Sequence, residues 1–395
     1  MKVLHLVAGD LNKGAAFGAY ILHKSLLKNR VESTLLFTGK ANNLDLTGCI
    51  CISNNFEVFF RKIRIRLWRY FLLIFYNHYS NEAFSSGLGV IDIKTLERKY
   101  KPDIIHLHWI NQSSYKYNSI KNVECRVIWT LRDMWPMVGG HHYDLNYETN
   151  DQDKRRSLDI SKIIFDYKKK HLSKKVEYVC ISKWIKDLAE TSPITKNNQI
   201  YLINNSVDTK NFFKDESQPI IQFKDQKKLI LLGAINLNAK YKGAEYAIEA
   251  IQSLDREKYA IASFGKISKQ LKDNFKSFQY TDFGQINSRS KMREIFSSSD
   301  IYLFPSIAEA FGKTVVESIL CETPVVAFNN SGPSEIIEHK VTGYLTDVCD
   351  VVGIKEGIDY LSDKFEIDKS FVELTKKRFS PKESALKYIN LYNKL

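Results

Sequence analysis

Short apolar runs alternating with helix-length amphipathic stretches predict an α/β protein built as two halves, each a parallel sheet covered on both faces. Three observations carry this reading. The chain has 395 residues, too many for one ordinary core and suited to about two domains. Its apolar runs are strand-length and recur with helical segments between them, in both halves. A polar, Lys-rich stretch, residues 210–228, interrupts the series and reads as a linker. In such sheets ligands bind beyond the carboxyl ends of the strands, so two facing sheets would place a cleft between them.

The elements follow in order. Val3–Ala8 reads as a strand, and Gly9 to Gly14 as the loop that leads into a helix over 16–29. Glu32–Phe37, Asp103–His108, Arg126–Leu131, Val176–Ile181 and Ile200–Ile203 read as further strands, with a helix at Lys183–Glu190. Beyond the linker, strands are predicted at Leu229–Leu232, Tyr259–Phe264, Ile301–Phe304 and Pro324–Ala327. Helices are predicted at Ala244–Ser253, Met292–Ser297, Gly312–Leu320 and, briefly, Pro333–His339. The segment Pro381–Leu395 reads as an amphipathic helix carrying Leu386, Ile389, Tyr392 and Leu395, able to pack back across the first half.

Composition narrows the function classes. With 44% hydrophobic and 26% charged residues the chain has material for two cores and is not disordered. A formal charge of +13 favours an anionic partner: nucleic acid, an acidic membrane surface or a polyphosphate ligand. The six cysteines include no CxxC pair and no zinc-type spacing. Cys125, Cys180 and Cys321 read as small core residues, which suits a reducing cytoplasm. The first residues lack a signal-peptide core, and no apolar run approaches the ~20 residues of a membrane span, so a cytoplasmic location is expected.

The most informative run is 305–317. Glu309 and Glu317 lie on either side of a Phe311-Gly312 turn that leads from a strand end into a helix. The helix start at Gly312, Lys313 and Thr314 offers unpaired N–H groups and a positive dipole end, both suited to a diphosphate. A carboxylate in the helix can accept both hydroxyls of a ribose, and one before the turn can accept from sugar hydroxyls.

With its continuation Pro324-Val325-Val326-Ala327, Ser331-Gly332-Pro333-Ser334-Glu335 and Thr342-Gly343-Tyr344, this block resembles the GT-B retaining glycosyltransferases of family 4. The resemblance implies two Rossmann-like domains with their sheets facing a central cleft. An acceptor-binding domain would cover 1–208, a nucleotide-sugar donor domain 209–378, and a tail helix 379–395 would pack back on the first domain. It implies that Glu317 binds the ribose, that Glu309 contacts the transferred sugar, and that Phe311, Gly312, Lys313 and Thr314 cradle sugar and phosphate. Configuration would be retained, the departing diphosphate taking the acceptor proton, with no metal and no cofactor; the sequence shows no obvious general base.

Further residues fit the same resemblance. Gly233 ends a strand, and Lys242 matches the family's phosphate-neutralising lysine. The arginine usual after that glycine is replaced by Ala234 and Ile235, and Lys240 is the candidate to compensate. Lys13-Gly14-Ala15-Ala16 matches the glycine loop beside donor and acceptor, which puts Gly14 and Ala15 in the donor site. The segment 129–143 is similar to a branch active in bacterial surface-polysaccharide assembly, in which Arg132 stands where a histidine is usual. Arg132 would bind phosphate or a charged sugar, and His142, or His141, would reach the site from a loop whose bland reading is a solvated surface. His106 and His108 read as core or supporting residues rather than metal ligands, and Asp151-Gln152-Asp153 as a solvated loop rather than a metal motif.

The expected partners are a UDP- or GDP-sugar and a saccharide acceptor on a polyprenyl diphosphate. Phe56–Tyr76, basic on one side and aromatic on the other, fits an anionic membrane surface as well as it fits a helix packed on its own sheet. Two other classes compete. A sugar-nucleotide epimerase shares the fold but has no need of the paired-glutamate block. A non-catalytic nucleic-acid binder would suit the charge, but the sequence has no nucleic-acid module and no such partner is expected. A dinucleotide oxidoreductase would need the GxGxxG that the first strand lacks.

Overall fold

The computed structural model describes residues 1–53, 63, 66–67, 84–111, 113–145, 160–172, 176–216, 227–363 and 365–394. The chain divides into two compact units, Met1–Ser206 with Ser384–Leu395, and Val207–Glu383.

In the first unit the strands are β1 (Lys2–Val7), β2 (Glu32–Phe37), β3 (Cys49–Cys51), β4 (Ile104–Leu107), β5 (Arg126–Leu131), β6 (Val176–Cys180) and β7 (Ile200–Leu202). They form one parallel sheet in the order β3-β2-β1-β4-β5-β6-β7. The helices are α1 (Gly14–Lys28), α2 (Ile93–Tyr100), α3 (Ile160–His171) and α4 (Lys183–Thr191). The strands read as continuous apolar runs because both of their faces are buried: Val3, Leu4, Leu6 and Val7 of β1 are all fully covered.

The second unit holds β8 (Lys228–Asn236), α5 (Ala244–Gln252), β9 (Tyr259–Lys266), α6 (Lys269–Asp273), β10 (Tyr280–Asp282), α7 (Arg289–Ser297), β11 (Ile301–Phe304), α8 (Lys313–Leu320), β12 (Val325–Phe328), β13 (Gly343–Thr346), α9 (Val351–Ser362) and α10 (Lys369–Arg378). Its strands are parallel in the order β10-β9-β8-β11-β12-β13. Ile230 and Leu232 of β8 pack with Ala247 and Ile251 of α5 and Ile354 and Ile358 of α9. The intervening Leu229 and Leu231 are buried on the other face.

Both strand orders reverse direction beside their first strand, at β1/β4 and at β8/β11. Those are the switch points where loops part and leave room for ligands.

The last helix, α11 (Pro381–Tyr392), packs on the first unit's sheet, where Ala385, Tyr388, Leu391 and Tyr392 join Val3, Leu22, Leu26, Ile104 and Ile128. This corrects one residue of the face expected from sequence: Ile389 and Tyr392 pack on the sheet, but Leu386 is exposed. Polar bonds fix the register. Tyr392 and Tyr388 hydroxyls reach His106 Nδ1 (2.6 Å) and Thr130 Oγ1 (2.8 Å). Arg126 grips Glu177 through Nε and Nη2 and caps the helix end by donating to the carbonyls of Leu391, Tyr392 and Lys394.

Other differences are local. Gly312 is the left-handed cap before α8 rather than its first residue, and the short helix after Pro333 is a 3-10 turn over Gly332–Glu335. The linker residues 217–226, Asp151-Gln152-Asp153, and Phe56–Tyr76 except Ile63, Arg66 and Leu67 lie outside the described residues. Among the described residues no helix is long and apolar enough to cross a membrane.

Candidate functional site

In the second unit, two loops that leave neighbouring strands at the switch point are stitched together. The amides of Ile307 and Ala308, after β11, both donate to the Tyr241 carbonyl, after β8, at 2.9 and 3.3 Å. Gly243 makes this approach feasible: its φ is +60°, and a side chain there would strike the Pro305 carbonyl oxygen. The Gly332 amide donates to the Glu309 carbonyl at 3.0 Å and holds the loop from its other side.

The stitching brings Lys242 and Glu309, both singled out from sequence, into one ion pair, Nζ to Oε2 at 2.5 Å. The side chains are 12% and 19% exposed, so the pair is shielded but reachable. Burial alone would lower the Lys242 pKa. The Glu309 carboxylate and the neighbouring Tyr241 more than offset that and hold it above the ordinary lysine value. Lys240 of the same turn is exposed and, among the described residues, pairs with no acid.

Helix α8 starts beside Glu309 with no side-chain cap and no acidic residue in its first turn. The positive end of its dipole therefore meets no acidic residue of its own first turn and favours a ligand's negative charge. Lys313 and Thr314 are half-buried there; the Tyr302 hydroxyl donates to the Gly233 carbonyl (2.9 Å) and is bonded by the Thr314 hydroxyl (3.1 Å). Gly233 lies inside β8 under the Phe264 ring, and Phe311 is buried edge-on against Phe379. These two can offer a ligand backbone groups only. Glu317, one turn into α8, is half-buried; burial pushes its carboxyl up to about 7, Lys313 and Arg289 pull it down, and Asp208 adds to the rise. Asp208, Arg289 and Tyr302 were not singled out in the sequence; Arg289 sits 3.6 Å from Asp208, a meeting of residues 81 positions apart that no local pattern signals.

In the first unit, Gly14 opens α1 as an exposed residue with φ +46°, followed by half-buried Ala15. Arg132 follows β5 and donates to Asn205 Oδ1 (2.9 Å) and His108 Nδ1 (3.3 Å). His5, His106 and His108 share one sheet face, His5 opposite His106 in register. Their nitrogens come within 4.8 Å of one another, as in a metal site, but all except His5 Nε2 are spent on hydrogen bonds. His5 bonds His108 (2.9 Å), and His106 bonds Tyr392 and Thr130. With a guanidinium adjacent, the trio is built as a polar core.

The histidines of the following loop are not on a solvated surface. His141 is buried edge-on against Phe84, and His142 is 5% exposed. His142 Nδ1 donates to Asp133 Oδ2 (2.6 Å), and its Nε2 accepts from Ser85 Oγ (2.9 Å). Asp133 is fixed in turn by the Trp109 indole (2.7 Å) and the Trp135 amide (3.1 Å). An imidazole oriented by a carboxylate with a lone pair on its far nitrogen is the arrangement of a general base. The sequence showed the two residues nine apart without showing that they meet. Lys168 of α3 is wholly buried under this loop, donating to the carbonyls of Trp135, Val138 (3.0 Å) and Gly139 (2.6 Å), with the Trp135 ring 3.6 Å away.

The chain resembles known proteins in sequence and in fold. Residues 213–378 match the glycosyl transferases group 1 family. A 41.2 kDa protein of the cps region of Klebsiella pneumoniae is 23% identical over 79% of this chain and 84% of its own length. The fold is that of sucrose-phosphate synthase from Thermosynechococcus elongatus, with a TM-score of 0.65, 14% identity and 99% and 98% of the two chains covered. It is equally that of Anabaena HepE, solved in complex with UDP-glucose, with a TM-score of 0.62, 14% identity and full coverage of both chains. The stretch that carries Lys242, Glu309 and Glu317 is thus similar to the glycosyl transferases group 1 family, on a chain whose two parallel-sheet domains have the GT-B fold.

Proposed function

We propose that this chain is a metal-independent, retaining glycosyltransferase of family 4 that moves a sugar from a UDP- or GDP-sugar to a saccharide on a polyprenyl diphosphate. The setting is cytoplasmic assembly of a bacterial O-antigen, capsule or exopolysaccharide. The observation that carries the reading is the Lys242–Glu309 pair beside the uncapped start of α8. The UDP-glucose bound to HepE supports the donor class, and the cps-region relative supports the setting.

In this reading the α8 N–H groups and Lys242 take the diphosphate, whose charge grows as the sugar departs. Lys242 has N–H groups beyond the one given to Glu309, so it can serve both. Glu309 accepts from hydroxyls of the transferred sugar, and Glu317 from the ribose. Arg132 and His142 act from the first unit, the acceptor side.

Thermal unfolding with UDP, GDP, ADP and CMP, with and without magnesium, tests the donor site. A selective, magnesium-independent rise with UDP or GDP is expected, and the anomeric configuration of the product, read by NMR, should match the donor's. A rise with a dinucleotide or nucleic acid in place of these would overturn the reading.

A further inference from the structure

Arg132 is a half-buried cation set among neutral groups. Its Nη1 and Nη2 donate to an amide oxygen and an imidazole nitrogen, and its Nε, buried, has no acceptor. Among the described residues no carboxylate pairs with it. The imidazoles cannot take that role. Burial first, and the Arg132 charge with it, hold His5, His106 and His108 well below the ordinary histidine range, so they stay neutral.

The proton positions follow. A guanidinium only donates, so His108 accepts on Nδ1 and carries its proton on Nε2, which donates to His5 Nδ1. His5 Nε2 is then a second buried donor without an acceptor. On the Asn205 side the guanidinium is packed against α1 at Gly18, where a side chain would collide with Nη1. The cluster holds a charge and surplus donors but no acid. A buried charge left unpaired works against folding, and an apolar side chain of similar size would serve stability better. A function outside stability explains its presence.

The geometry points to an oxyanion subsite in the first unit, anchored by Arg132, that takes the carboxylate of a sugar acid or a phosphate group on the saccharide. That its bearer is a saccharide rests on the glycosyltransferase reading; that an anion sits at Arg132 does not.

The test uses the full chain in a chloride buffer free of oxyanions. Wild type, Arg132→Met and Arg132→Lys are titrated with methyl glucuronide, inorganic phosphate and, as a neutral control, methyl glucoside, following the unfolding midpoint. At least one anion should raise the wild-type midpoint saturably. Its affinity should fall about tenfold to a hundredfold in Arg132→Met and less in Arg132→Lys. The glucoside should do nothing. A response to glucuronide alone assigns a sugar acid, and one to phosphate alone a phosphorylated group. Equal responses in wild type and Arg132→Met, or none in wild type, overturn the subsite. UDP titrated in parallel separates the two readings: its failure to bind would count against the donor site and leave the anion result standing.

Discussion

Lys242 and Lys168 are both shielded ammonium groups, and the two units hold them in opposite ways. Lys242 faces a carboxylate, Glu309, and its pKa is raised even though burial works against it. Lys168 faces three backbone carbonyls and an indole ring, and burial drives its pKa well below the ordinary value despite the Asp133 charge. A carboxylate partner can be exchanged for another anion, so the pair in the second unit is suited to receive a diphosphate. Carbonyls locked in a loop cannot be exchanged. The ammonium in the first unit is suited to fixing the 135–139 turn and, through it, the Asp133–His142 pair. Arg132 belongs to neither kind, having one amide, one imidazole and no acid.

The largest effect expected from this contrast is at Glu309. Glu309→Ala should cut transfer about a thousandfold, with the far-ultraviolet circular dichroism unchanged, because the residue sits in a loop fixed by backbone bonds. Normal turnover in the variant would break the functional half of the comparison.

Lys168→Met sharpens the other half. It removes an unfavourably buried charge but leaves three loop carbonyls without donors. The second effect should win, lowering stability by about 3 kcal/mol in urea unfolding. An unchanged midpoint would mean that the loop does not depend on its ammonium.

The fold class was legible because buried parallel strands are apolar runs whatever packs on them. Elements were missed where that signal fails. β3 is three residues with Cys51 exposed, and β13 opens on Gly343 between polar residues. The tail helix shows the limit of periodicity. Counting large apolar residues chose Leu386, Ile389, Tyr392 and Leu395; Ile389 and Tyr392 do pack on the sheet, but Leu386 is exposed and the stripe also runs through Ala385 and Tyr388, whose partners Val3 and Thr130 lie more than 250 positions away. The sites divide in the same way. Lys242 and Glu309 could be named because each stands in a compact local pattern. The roles of Ser85, Asn205 and Lys168 depend on residues 57, 73 and about 30 positions distant, and nothing local marks them.

The smallest effect concerns Glu317, which combines the two ways of holding a charge. Burial raises its pKa from 4.5 to about 7, against the pull of Lys313 and Arg289. A raised carboxyl pKa means that the folded chain keeps a proton the unfolded chain has lost, so stability falls as pH rises from about 4.5 to about 7 and is level above that. Allowing for its partial exposure, the carboxylate costs about 2 kcal/mol at pH 8. Glu317→Gln should therefore stabilise the protein by that amount at pH 8, leave it unchanged at pH 4, and weaken nucleotide binding about tenfold at pH 8. Urea unfolding at the two pH values, paired with nucleotide titration, checks both signs at once. Stability lost at pH 8 would mean that Lys313 and Arg289 hold Glu317 as a paired anion, like Glu309. Stability gained together with weaker binding would show that this carboxylate is kept for its ligand at the expense of the fold.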